Sequence, residues 1–448
     1  MRDSLRCETT LQTASHHSVR SGDKHLTTES APNNYTIIKA ARIFDGTGAA
    51  PTKGQAVLLD GNQIVAIGPT GELAAPDGSK LTVKDYGDST ILPGLVDGHT
   101  HMMAPGDGTH GDITGAEQDD VLLMRALQNA RTFLHAGVTT ARENGAKNKV
   151  GFSLKEGIHR GLSEGPEMVI SGRPITITGG HFWYCGSEAD GTDGVRAEVR
   201  KLVKEGADFI KIMATGGSTW SSDASRPSYT LEEMTVIVEE AHKFGKLTAA
   251  HCASMQGIQN SVDAGVDMII HCVFENETGM YEFSEPLAEQ LAAAKAWVNP
   301  TLHVIQASIE HTEGIGYDRG WLTKEEQASI DASKRTLETR NDSVTRMIKM
   351  GVRMIAGSDS PWGAYPPGEF VKEMIALTKA GLSNAEALVT GMSHAAESIA
   401  VGDQAGTLAV GRPGDVLVVG GDPTTDLNAL WDVKDVYKSG LLVGRPDQ

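Results

Sequence analysis

From Tyr35 the chain runs in short alternating apolar stretches separated by turn residues: YTIIKAARIFDGTG, then QAVLLDGNQIVAIG with an Asp60-Gly61 hairpin signal. The same style returns near the C-terminus in GTLAVGRPGDVLVVGGDP and DVKDVYKSGLLVG. Two strand-rich ends around a different middle predict one small β-sandwich assembled from both termini, over residues 35–92 and 402–448. The middle, residues 93–401, alternates apolar strand-like runs with amphipathic segments, the signature of βα units. Its candidate strands are ILPGLVDGHTH, GVTTAREN, EMVISGRP, DFIKIMATGG, KLTAAHC, DMIIHCV, AWVNPTL and VRMIAGSDS. Between the fourth and fifth, Leu231, Met234, Ile237, Val238 and Ala241 keep the spacing of one helical face. Eight such repeats predict an α/β fold, a (β/α)8 TIM barrel carrying the sandwich. A doubly wound open sheet would usually show a Gly-rich phosphate loop after its first strand, and none stands there.

Residues 1–34 are polar, without apolar periodicity, and read as a flexible leader. The 448 residues carry a formal net charge of -18, which argues against a nucleic-acid partner. Cys7, Cys185, Cys252 and Cys272 form no C-x-x-C pair, so no disulfides are expected. No apolar run approaches the roughly 20 residues needed to cross a bilayer, and no secretion signal opens the chain. A soluble cytoplasmic protein without membrane contact is therefore expected, a homo-oligomer acting on a small molecule.

Metal-binding residue types recur at the C-terminal ends of the candidate strands, where a barrel builds its active site. His99 and His101 close the first strand, and alternation along a strand turns both imidazoles to one side. His251 ends the fifth, His271 the sixth and Asp359 the eighth, a donor set suited to zinc or a neighbouring divalent ion. Lys211 stands within the apolar run FIKIM, where a bare cation is costly and must be neutralised, paired or modified. One histidine at a strand end is more often a hydrogen-bonding residue than a ligand. Five ligand-type residues at matching ends of four strands favour a metal site. By the same alternation Cys252 and Cys272, each following a ligand histidine, should face the barrel wall. Arg142 and His394 read as structural.

The runs VDGHTHM and GSD, with the strand lysine and the two single histidines, resemble the metal-dependent amidohydrolase superfamily over residues 35–445. ITGGHFWYCGSEADG, GADFIKIMATGGS and YTLEEMTVIVEEAHKFGKLTAAHC are similar to its prolidase-like branch of Xaa-dipeptidases and of phenylurea, thiocarbamate and ochratoxin hydrolases. The resemblance implies two divalent ions, zinc first and manganese or cobalt as alternatives. His99, His101 and Asp359 would hold the inner ion, His251 and His271 the outer one, and a carboxylated Lys211 would bridge them. It further implies a metal-bound hydroxide as nucleophile, Asp359 as the proton-transfer residue and His181 as a donor to the substrate carbonyl.

Several dipeptidases of the branch carry a carboxylate-contacting tyrosine two residues after the fifth-strand histidine, where this chain has Ala253. Phe182, Trp183, Trp220, Trp362 and Tyr365 lie in or near the loops expected at the mouth. His181, Trp183, Trp220, Arg226, His303 and Trp362 are accordingly the candidate substrate-binding residues, although loop aromatics also cover core edges. The expected function is hydrolysis of an amide, carbamate or urea C–N bond in an apolar or aromatic substrate. An Xaa-dipeptidase is the alternative, followed by a lactonase or cyclic-imide hydrolase. A deaminase fits poorly beside Lys211, and an intact ligand set argues against a non-catalytic scaffold.

Overall fold

Strands from the two ends of the chain share a sheet in the computed structural model, which describes residues 34–444. The expected leader lies outside the described residues except for Asn34, which opens the first strand. Val416–Gly420 pairs antiparallel with Ser89–Pro93, with Leu417 opposite Leu92, inside a six-stranded sheet. A second sheet of four strands holds Asn34–Lys39, Gln55–Asp60, Gln63–Pro69 and Lys80–Asp85. Ile38, Val57 and Leu59 of the smaller sheet meet Ile43, Ile91, Val416 and Val418 of the larger one in a single apolar core. Asp60 pairs with Gln63, so the hairpin turn consists of Gly61 and Asn62, one residue later than the dipeptide signal suggested. Gly61 takes a φ of +53°, a conformation that glycine adopts without steric cost.

Between these ends runs a TIM-barrel-like set of eight parallel strands, found where eight were expected. The first three are Leu95–Thr100, Val138–Glu143 and Glu167–Ile170. The other five are Ile210–Met213, Thr248–His251, Met268–Ile270, Trp297–Asn299 and Arg353–Met354. The first group forms one sheet and the second another. Beyond the strand ends, Ile175 N donates to Lys211 O at 2.8 Å and Asp359 N to His99 O at 2.8 Å.

The expected helix forms over Leu231–Lys243, started by a capping box in which Thr230 and Glu233 satisfy each other's amide groups. Met234, Ile237, Val238 and Ala241 are buried as predicted, but Leu231, the first residue of the helix, is exposed. Among the described residues no helix is long and apolar enough to cross a membrane.

The shared core of the two sheets gives a direct test. Ile91→Ala should lower the unfolding free energy by about 2–5 kcal/mol, the usual range for such a truncation in a packed core. Urea denaturation followed by far-UV circular dichroism would measure it, and a loss below about 0.5 kcal/mol would mean that the terminal sheets carry little of the stability.

Candidate metal centre and its cavity

His99 is the penultimate residue of the first strand and His101 follows that strand directly. His251 is the last residue of the fifth strand. His271 and Asp359 lie beyond their strands, in left-handed backbone at φ of +63° and +64°. Cys272 is left-handed too, so simple alternation does not orient it. Both thiols nevertheless turn from the cluster, Cys252 to the Ser261 hydroxyl at 3.4 Å and Cys272 to the Met347 sulfur at 3.9 Å.

His99 donates from Nδ1 to Asn299 Oδ1 at 2.9 Å, and His101 donates from Nδ1 to the Gly145 carbonyl at 3.2 Å. Asn299 is itself oriented by its Nδ2 bond to Gly357 O at 3.0 Å. With both Nδ1 atoms protonated, both Nε2 atoms present lone pairs, and they stand 3.3 Å apart. Asp359 Oδ1 lies 3.2 Å from one and 3.3 Å from the other. Three acceptors buried at that spacing repel one another unless a cation sits among them. Ligand atoms about 2.0–2.2 Å from a divalent ion fall about 3.0–3.5 Å apart at tetrahedral to octahedral angles, so the observed triangle fits one. His99, His101 and Asp359 also form the one buried three-ligand group found among the described residues.

A second pair lies beside this triangle. The His251 and His271 rings approach to 4.5 Å between centroids, and His271 stands 5.7 Å from His99. His251 gives its Nε2 proton to Gly216 O at 3.1 Å, and His271 Nδ1 meets the Thr301 hydroxyl at 2.7 Å. In each ring the other nitrogen is left for a ligand. Burial holds both imidazoles well below the usual histidine range, which keeps them in the neutral, coordinating form. Lys211 is buried next to them. Burial pushes its ammonium down to about 7, against the pull of the Asp359 carboxylate.

These groups open into a cavity of about 250 Å³. His101, His181, Lys211, His251, His271, Asp359 and Trp362 all border it, and Phe182, Met213, Val273, Val304 and Ile305 supply an apolar wall. His181 is held in one tautomer. The Thr219 amide donates to His181 Nδ1 at 3.4 Å, so that nitrogen is the acceptor, the Thr219 hydroxyl at 2.8 Å donates to it as well, and Nε2 keeps its hydrogen. Gly217 admits the ring, since a Cβ there would lie 2.5 Å from His181 Nε2.

Four of the candidate substrate-binding residues lie outside this lining. Trp220 is 70% exposed and stacks on His110 at 4.8 Å. Trp183 is 42% exposed, its ring edge-to-face with Tyr184. Arg226 pairs with Asp223 at 3.2 Å on the loop surface. His303, first residue of the helix His303–Arg319, faces a separate cavity of about 140 Å³ with Glu310 and Lys372. Tyr365 is buried, its hydroxyl on Glu369 O at 3.0 Å. Arg142 is buried as a structural group, donating to Gly98 O at 2.8 Å and lying over the Phe209 ring. Among the lining residues that the sequence reading did not single out is Arg340, from the polar helix Lys324–Lys349, where Ile330, Leu337, Arg340, Val344 and Met347 keep the spacing of one helical face.

A family model described as the Amidohydrolase family matches residues 90–443. Ochratoxinase of Aspergillus niger is 25% identical, over 92% of this chain and 87% of its own length. The crystal structure of an Xaa-Pro dipeptidase with methionine bound in its active site superposes with a TM-score of 0.78 at 25% identity, covering 92% of this chain and 100% of its own. Phenylurea hydrolase B shares the fold, with a TM-score of 0.74 at 20% identity over 92% of this chain and 97% of its own.

The role of Asn299 is open to a binding measurement. Asn299→Ala removes the group that fixes the His99 tautomer, so zinc affinity should fall about 10- to 100-fold in a competition titration with a chromophoric chelator. Unchanged affinity would mean that His99 is oriented by packing alone.

Proposed function

The chain belongs to the amidohydrolase family, in its prolidase-like branch, and we propose that it hydrolyses an amide, carbamate or urea C–N bond in a small apolar or aromatic molecule. The observation that carries this reading is the triangle of facing acceptors made by His99, His101 and Asp359, beside Lys211 and the His251–His271 pair, on a largely apolar cavity. In this reading the catalytic unit is a closed (β/α)8 barrel over residues 93–401, and residues 35–92 and 402–448 form a composite β-sandwich.

His99, His101 and Asp359 would hold an inner ion, and His251 and His271 an outer one. Zinc suits this donor set, with manganese or cobalt as substitutes. Lys211 would reach both ions as a carbamate. Burial favours its neutral amine, the form that adds to carbon dioxide, and the two oxygens so gained turn a costly buried cation into an anionic bridge. Divalent ions, when bound, supply a Lewis acid for the substrate carbonyl and lower the pKa of an attacking water towards neutrality.

The remaining steps belong to the protein. Asp359 accepts the proton of the attacking water and passes it to the leaving nitrogen. His181 offers its Nε2 hydrogen to the carbonyl oxygen as negative charge develops there. Burial and the neighbouring His251 hold His181 well below the usual imidazole range, so it stays a neutral donor. Phe182 and Trp362, 4.7 Å apart between ring centroids, give a flat substrate group an apolar wall. Ala253 offers no hydroxyl to a dipeptide carboxylate, and Asp359 is the one acidic residue on the lining. A substrate ammonium would therefore find no free partner, which weighs against simple dipeptides.

Metal analysis of protein prepared without chelator should approach two ions per chain, and a firm value of one with unmodified Lys211 in the mass spectrum would remove the two-ion site. Lys211→Ala should abolish turnover, and formate or acetate should restore part of it; failure of every short carboxylate to rescue would leave the bridge without support. In a metal-replete Asp359→Asn enzyme, kcat should drop by about 10²- to 10⁴-fold, as when an acid-base group is lost. Near-full activity there would move the proton transfer to another residue.

A further inference from the structure

The strand Ile210–Met213 and the helix Leu231–Lys243 are joined by a loop that closes on itself. Thr215 and Pro227 form an antiparallel bridge, Gly216 N donates to Arg226 O at 3.2 Å and Ser228 N to Ala214 O at 2.8 Å, so residues 216–226 leave and return at one point. Within the loop the Ser222 hydroxyl accepts from Gly217 N at 3.1 Å and donates to Thr219 O at 3.0 Å, and Ser222 N reaches the same carbonyl at 3.0 Å. A loop tied across its neck and packed by its own side chains moves as one body.

Its inner face touches two residues at the mouth. Gly216 O takes the Nε2 proton of His251 at 3.1 Å, and Thr219 gives its amide and hydroxyl protons to His181 Nδ1, which keeps the hydrogen of that ring on Nε2. Its outer face rests on residues outside the cavity lining. His110 donates from Nε2 to Ser218 O at 2.9 Å and stacks on Trp220 with ring planes 9° apart, and Asp112 Oδ2 accepts from Trp220 N at 3.3 Å. Ser218 and Trp220 flank Thr219 in sequence, so Thr219 is pinned on both sides from outside the site.

We infer that His110 is a positioning residue: by clamping Ser218 and Trp220 it seats Thr219 on His181 and holds the His181 donor in one orientation and one tautomer for the developing oxyanion. A donor contributes most when it is oriented before the charge develops. An imidazole whose Nδ1 loses its donors is free to turn and to carry its proton on either nitrogen. This rests on the hydrolase reading above and adds to it a residue off the cavity lining. Trp220, expected to bind substrate, acts in this account through the loop backbone.

The test separates positioning from substrate contact. Zinc-loaded enzyme is assayed with an N-acyl aniline, a phenylcarbamate ester and a phenylurea, and the compound turned over fastest is used throughout. In His110→Ala kcat should fall about tenfold or more, part of the ~10²- to 10³-fold that loss of a whole oxyanion donor costs, while KM stays within about threefold of wild type. Trp220→Ala should lower kcat in the same manner, and Trp220→Phe, which keeps a stacking face, should recover part of it. Solid-state 15N spectra of histidine-labelled, zinc-loaded protein give a second readout, the His181 signals being those lost in His181→Gln. The wild type should show one protonated and one unprotonated ring nitrogen, and in His110→Ala the two should move towards an average. Wild-type kcat in folded His110→Ala overturns the inference, as does a lowered kcat with unaltered His181 signals. A rise in KM alone in Trp220→Ala overturns it too, by making Trp220 a substrate contact. If His110→Ala does not fold, as judged by circular dichroism, the two variants of Trp220, a residue 70% exposed, decide it. If no compound is hydrolysed, the hydrolase reading fails on this panel and the 15N spectra alone judge the positioning, with unaltered signals in His110→Ala overturning it.

Discussion

Everything at the mouth of the strands follows from one electrostatic constraint: three buried acceptors, two imidazole Nε2 atoms and a carboxylate oxygen, face one another at 3.2–3.3 Å. The protein enforces this arrangement from outside. Asn299 and Gly145 accept the Nδ1 protons of His99 and His101, which fixes the tautomers. Asp97, fully buried, accepts from His99 N at 3.0 Å and from Ser358 N at 2.9 Å, tying the first strand to the loop that carries Asp359. Burial pushes the Asp97 carboxyl up to about 7, although both amides pull it down. Like-polar atoms held together by this many hydrogen bonds form a group that a cation could complete.

The left-handed conformations of His271 and Asp359 belong to the same constraint. A side chain leaving an extended strand must take one of two faces, and neither brings a residue past the strand end back over the mouth. A turn into positive φ does. Such conformations are uncommon outside glycine and cluster at functional sites, where surrounding bonds hold them. Here the Asp359 amide is fastened to His99 O at 2.8 Å and the His271 amide to Asn299 O at 2.8 Å.

This explains which parts were legible in the sequence. The H-x-H pair of His99 and His101 was readable because strand alternation is a strict rule, and Lys211 because a lysine within FIKIM contradicts its surroundings. The ends of the chain were readable as β structure from alternation, and the eight strands from their spacing. Trp183, Trp220 and Arg226 could not be placed, because a loop has no period to say which way a side chain turns; two of them face water and the third binds Asp223. His303 was near the right place along the chain, but helix geometry sends it to one side while Val304 and Ile305 take the cavity side. Arg340 was hidden for a different reason. Its helix is polar enough to read as a solvated face, and charged residues outnumber the apolar positions that mark its buried stripe.

Charge at long range and charge at contact then act in opposite directions. A formal charge of -18 disfavours the approach of any anion. At physiological ionic strength, however, that field is screened beyond about 8 Å, so its effect falls on the rate of encounter more than on what happens inside the cavity. Within the cavity a fixed guanidinium acts at hydrogen-bond distance and in a lower dielectric, where one charge outweighs many distant ones. Arg340, held by the carbonyls of His271 and Pro300, is such a contact charge on the wall of the cavity. Since His271 also belongs to the candidate metal centre, that centre and Arg340 are joined through one segment of backbone.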